Sequence, residues 1–106
     1  MDVLPGTLDL LILRALELSP LHGVGVSERI HQVTHGAIAV KAGSLFPALR
    51  RLEQQGRITG EWGPSENNRR ARYYTLTRLG RARLAEEKRN WYRMTSAMNW
   101  MLESEE

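Results

Sequence analysis

Cysteine is absent from all 106 residues. Disulfides, thiolate metal sites and cysteine nucleophiles are thereby excluded, and a reducing cytosolic compartment is expected. Long uncharged apolar runs are also missing. The greasiest stretch, Leu8 to Leu18, is interrupted by Asp9, Arg14 and Glu17. It is too short and too charged to span a bilayer, and the start lacks the basic, cleavable pattern of a signal peptide, so no membrane partner is expected. Nucleophile motifs, phosphate-binding glycine loops and metalloprotease signatures are missing too, so neither an enzyme nor a cofactor is expected. His31 and His35 stand at metal-ligand spacing but without an evident third ligand, and read as helix-end histidines. Glu86 and Glu87 read as a solvated helix face.

What the chain does have is an uneven distribution of charge. Its net charge is only +3, yet residues 41–93 carry thirteen Lys/Arg against five acids. Residues 1–40 carry two arginines against four acids, and residues 94–106 three acids and no base. A basic middle between acidic ends suits a surface that binds a polyanion.

The apolar pattern predicts a first helix from Leu8 to about Leu18, capped by Thr7 and stopped at Ser19-Pro20. It is apolar almost all round, which calls for cover from a second subunit as well as from its own domain. Val26, Ile30 and Val33 predict a second helix ending near Gly36, after a turn or tight backbone approach at Gly23 and Gly25. Residues 37–40, "AIAV", read as a minor strand or an extended loop. A third helix is predicted over 41–55, closed by Gly56. Leu45, Leu49 and Leu52 share one face, while Ser44, Pro47, Arg50, Arg51 and Gln54 share the other. Pro47 is harmless in a first turn and bends a helix that starts as early as Ala42.

"RITGEW" (57–62) and "RYYTLT" (72–77) predict a hairpin whose tip, 63–71, carries Asn67, Asn68, Arg69 and Arg70. Thr77 is placed to cap a final helix running to about Leu102, whose first turn Gly80 weakens. Along it Leu84, Trp91 and Met98 fall at heptad position a, and Met94 and Met101 at d, with Glu87 breaking one d position. Trp100 falls on the opposite side and is expected against its own first helix.

Three helices, a basic hairpin and a long helix make a mainly α (α+β) winged helix-turn-helix. The expected division is 1–77 for the DNA-binding unit and 78–106 for the dimerisation helix with its acidic tail, together one compact body. Double-stranded DNA is the expected partner. Lys41, Ser44, Arg50, Arg51, Asn68, Arg69, Arg70 and Arg72 are the candidate contacts. A second copy of the chain is expected through Leu8, Leu11, Ile12, Leu84, Trp91, Met94, Met98 and Met101. Alternative readings are a winged helix that binds protein through its basic face, and a regulator with no small-molecule effector.

The segments "LPGTLDLLILRALELSPLHGVGV", "GSLFPALRRLEQQGRI" and "RRARYYTLTRLGRARL", with the Trp91-centred tail, resemble the PadR family of bacterial transcriptional regulators, in its short class with one C-terminal helix. The resemblance spans about residues 4–102. It implies a homodimer, most often a repressor, on inverted-repeat operators. Its dimer would be built from the last helix with help from the first. Some members of the family release DNA when a small molecule binds. Trp91 is then either dimer packing or a plate for a small hydrophobic or aromatic ligand. Two positions depart from the family pattern, which usually has Tyr at Phe46 and often at Val24. Without the hydroxyl, Phe46 forgoes a phosphate hydrogen bond of about 1 kcal/mol.

Overall fold

The computed structural model describes residues 6–105. Leu4 and Pro5, which open the first motif quoted above, and Glu106 of the acidic end lie outside the described residues. The element order is α1 (Thr7–Leu16), β1 (Leu21–His22), α2 (Gly23–Val33), α3 (Ala42–Gln54), β2 (Ile58–Pro64), β3 (Arg70–Leu76) and α4 (Arg78–Glu103). The strands form one antiparallel sheet in the order β1-β3-β2. This is a winged helix-turn-helix followed by a long helix.

A single apolar core joins α1, α2, α3 and the base of the hairpin. Ile12, Leu13, Val26, Leu45, Leu49, Leu52, Ile58 and Leu84 are its largest fully enclosed side chains. The face of α3 read from the leucine spacing is the buried one, and Ala48 joins it. Gly23 lets α2 and α3 approach closely, since a Cβ there would stand 2.6 Å from Cε1 of Phe46.

Several local expectations change. Gly6 takes the N-cap position of α1 and Thr7 is its first helical residue. The cap of α2 is instead His22, whose Nδ1 accepts from the Gly25 N–H at 3.0 Å. Residues 37–40 form no strand. Ile38 and Val40 pack partly buried against the core, and the Ile38 N–H donates to Thr34 Oγ1 at 3.1 Å. Val33, the last residue of α2, is exposed, although Ile30 in the same turn is buried in the core. The hairpin register is Ile58↔Leu76 through Pro64↔Arg70. The strands therefore run two pairs further than the sequence suggests, and the tip shrinks to residues 65–69.

Thr77 caps α4 as expected, its Oγ1 accepting from the Gly80 N–H at 2.9 Å. Only Gly80 and Leu84 of α4 are buried. At 26 residues the helix is about 39 Å long. It gives the molecule a long axis of 59 Å against 28 and 22 Å.

The burial pattern corrects part of the proposed dimer face. Ile12 and Leu84 are enclosed by their own chain, at 0% and 1% exposure, and cannot lie on a seam with another copy. Glu87, which breaks the heptad, pairs within α4 with Arg83 at 2.5 Å. Lys88 then reaches Glu17 of α1 at 3.5 Å. Past that point α4 leaves its domain. Trp91, Met94, Met98 and Met101 are all exposed, while Leu8 and Leu11 are partly buried. Trp100 is also exposed, at 73%, and does not pack on its own first helix.

Candidate nucleic-acid interface

The outer face of α3 is built by subtraction. Leu45, Ala48, Leu49 and Leu52 take the inner face, which leaves Ser44, Phe46, Pro47, Arg50, Arg51 and Gln54 exposed. Lys41 stands at the N-cap position. Since the helix begins at Ala42, Pro47 lies beyond the first turn, and the intrahelical N–H that would reach the Gly43 carbonyl is missing. Phe46 is half-exposed, with its ring edge against Gly23 at the start of α2. Val24, next to it, is exposed as well.

Of the five candidate arginines, the structure turns some outward and others inward. Arg51 pairs through Nη2 with Asp9 Oδ1 and so ties α3 to α1. One of its nitrogens is thus directed at its own chain, although the side chain remains half-exposed on the outer face. The acid it finds is 42 residues away rather than a neighbour on its helix. Arg72 lies in β3, and its guanidinium grips the carboxylate of Glu53 on α3, with Nε to Oε1 at 3.4 Å. The hydrogen bond to Glu53 holds the Arg72 pKa above its ordinary value. Beneath this pair, burial pushes the Tyr74 phenol upward, with the Glu53 charge adding to the effect. Arg72 therefore sets the angle of the hairpin against α3.

Arg50, Arg69 and Arg70, together with Lys41, form no ion pair among the described residues. The tip that carries Arg69 is closed by short bonds. The Ser65 N–H and hydroxyl both donate to the Arg69 carbonyl, at 2.9 and 2.6 Å. Asn68 adopts a left-handed backbone (φ 58°). Asn67, Asn68, Arg69 and Arg70 are all exposed. Four cations without acids thus sit on the exposed part of α3, at the wing tip and at the start of β3 beside it.

Sequence reasoning missed Trp62, Glu53 and Asp9. Trp62 was findable, because the hairpin centre at residue 67 places it directly opposite Arg72. The two acids had no local signal, since their partners are distant in the chain. Among the described residues no cluster of His, Asp and Glu could hold a metal ion. No helix of the described chain is long and apolar enough to cross a membrane.

Solved structures share this architecture. A transcriptional regulator from Clostridium thermocellum is 28% identical, with a TM-score of 0.83 over 93% of this chain and 96% of that one. A PadR family transcriptional regulator from Eggerthella lenta is 29% identical, with a TM-score of 0.79 over 93% and 84%. One from Clostridium difficile is 29% identical, with a TM-score of 0.78 over 92% and 99%. Residues 12–86 match the model of the transcriptional regulator PadR-like family, a span that runs from the core of α1 through the wing into α4. With the helix-turn-helix, the basic wing and that match in agreement, this chain belongs to the PadR-like family of DNA-binding transcriptional regulators and is not an enzyme.

Proposed function

We propose that the protein is a homodimeric repressor that binds an inverted-repeat operator. Each α3 enters a major groove, and each wing lies along the adjacent backbone or minor groove. The observation that carries this is the division of the cations. Those between elements are neutralised by Asp9 and Glu53, whereas Lys41, Arg50, Arg69 and Arg70 are left to an outside anion. A groove about 12 Å wide accepts a helix, and Arg50 and Gln54 carry the donors that bond phosphates or base edges. Ser44 and Asn68 add neutral donors at the two ends of this surface. Phe46 contributes apolar contact there in place of a hydroxyl bond.

The dimer in this reading uses the part of α4 that its own domain does not cover. Trp91, Met94, Met98 and Met101 follow the a/d pattern and are exposed, which is a poor state for four large apolar side chains. Leu8 and Leu11 extend this surface from α1. We assign Trp91 to packing in that seam, where a flat aromatic effector would also meet it. Half-sites one helical turn apart, roughly 34 Å, are within the span of two such protomers. Occluding a promoter needs only a DNA module and a dimer.

A gel shift with DNA from upstream of the protein's own gene tests the reading, run at low and moderate salt with random duplex as competitor. A complex that survives competitor and requires an inverted repeat is expected. A shift erased equally by any duplex would refute the operator reading and favour a protein partner for the basic face. Affinity should fall steeply with salt as bound phosphates release counterions.

Replacing Arg69 and Arg70 with Ala should weaken binding to specific and random duplexes alike, by on the order of tenfold or more. The salt slope should drop by about 0.9 for each phosphate that is no longer neutralised. Unchanged affinity would remove the wing from the interface.

A further inference from the structure

Trp62 is used neither by the core nor by the α4 seam, yet it is an exposed tryptophan (58%) on a wing that is otherwise polar. It lies opposite Arg72 in the hairpin register, two pairs from the end of the strand. Ile58, Gly60, Trp62 and Pro64 share the hairpin face that carries Tyr74 and Leu76 into the core. Gly60 keeps that face open for Arg72, since a Cβ there would come 2.5 Å from Arg72 Nε. Arg72 runs across Gly60 to Glu53, and its guanidinium carbon lies 5.6 Å from the centroid of the Trp62 ring. The guanidinium carbon of Arg70 lies 5.4 Å from the same centroid.

The two arginines are held differently. A carboxylate engages one edge of the guanidinium it binds, here Nε and Nη2 of Arg72, and so directs that group at Glu53. An aromatic ring takes only the flat face of a guanidinium and leaves the five N–H groups free in its plane. Arg70 is therefore restrained but chemically unspent. An arginine that is already ordered loses less rotamer freedom when it docks on a phosphate. Arg69, in the turn beside it, has no such platform among the described residues.

We propose that Trp62 is a positioning residue for DNA binding, one that holds the Arg70 guanidinium in place for the phosphates beside the wing. The proposal rests on the DNA-binding reading of the wing given above. Trp62 acts through Arg70, while Arg72, paired with Glu53, stands near the same ring.

The test is a double-mutant cycle on DNA affinity. Fluorescence anisotropy would follow binding of a labelled mixed-sequence 30-base-pair duplex, at several salt concentrations, to the full chain. Trp62→Leu keeps apolar cover on the strand but removes the π-face, and should weaken binding about two- to fivefold per wing. Arg70→Gln should weaken it more. The double variant should bind no more weakly than Arg70→Gln alone, because without the cation the ring has nothing to hold. Trp62→Phe should recover most of the loss, a result that a simple packing role would not require. Wild-type affinity for Trp62→Leu would overturn the proposal, as would a loss that adds in full to that of Arg70→Gln. Wild-type protein that shows no salt-dependent binding would overturn the DNA reading of the wing itself, a failure distinct from the other two because it appears before any substitution is made.

Discussion

Met94→Glu combined with Met98→Glu is expected to leave the protein folded and monomeric, whereas the wild-type chain is expected to sediment at twice the protomer mass. Both side chains are at least half-exposed on the single chain, so their replacement costs its own core nothing. In a two-fold seam the same changes bring four carboxylates into an apolar contact. Each costs at least about 1–2 kcal/mol to desolvate even with partial compensation. The dimer dissociation constant should therefore rise on the order of 10⁴-fold. Sedimentation equilibrium reads this directly, and far-UV circular dichroism checks that the fold survives. Operator affinity should collapse with the dimer, because a lone protomer grips one half-site only. A variant that still sediments as a dimer would move the interface off the α4 seam.

Such a seam is only partly legible in the sequence. Heptad spacing identifies residues that share a helix face, but not which chain covers that face. Leu84 and Trp91 occupy equivalent heptad positions, yet the first is enclosed by its own domain and the second is exposed. The break at Glu87 marks where one kind of cover ends. Its bond to Arg83, one turn earlier on α4, is made within the helix, and the cross-element tie comes one residue later, where Lys88 reaches Glu17. Ile12 departs from its expected place for a related reason. A helix that is apolar all round does not say which side meets which neighbour.

Local signals carry further. The leucine spacing of α3, the cap at Thr77 and the centre of the hairpin at residue 67 each depend on neighbours a few residues apart, and each matches the structure. The arginines do not follow composition. Arg51 finds Asp9 and Arg72 finds Glu53, partners 42 and 19 residues away, and such pairs leave no trace in spacing. What a basic stretch offers to DNA is set by the acids that the fold brings against it. The basic residues 41–93 are therefore a better guide to the interface as a region than as a set of individual side chains.

Gly80→Ala reverses sign between the two levels of reading. Helix propensity alone predicts a gain, since Gly costs up to about 1 kcal/mol relative to Ala within a helix. In the fold, a Cβ on Gly80 would stand 2.0 Å from the Arg57 carbonyl oxygen, which is backbone and cannot swing aside. A comfortable carbon–oxygen contact is about 3.3 Å or longer, so the start of α4 would have to shift by more than an ångström. That shift is opposed from three sides. The Thr77 hydroxyl donates to the Gly56 carbonyl at 2.7 Å, the Thr77 N–H donates to the Arg57 carbonyl at 3.2 Å, and Leu84 is locked in the core one turn on. The expected cost is about 3 kcal/mol, the upper end for forced overpacking. In a domain of this size that lowers Tm by roughly 10–20 °C. Gly43→Ala is the matched control, being a helical glycine whose added Cβ would meet nothing within 4 Å. It should leave Tm unchanged or raise it slightly. Equal melting of the two variants would mean that α4 is not seated on the Arg57 carbonyl. A chain that accommodates Gly80→Ala by tilting α4 would reveal itself differently. Along a helix of about 39 Å, a tilt of a few degrees at Gly80 carries Met98 and Met101 a few ångströms off their line. Dimer affinity would then fall more than thermal stability does, which ties the packing of one glycine to the spacing of the two DNA-reading heads.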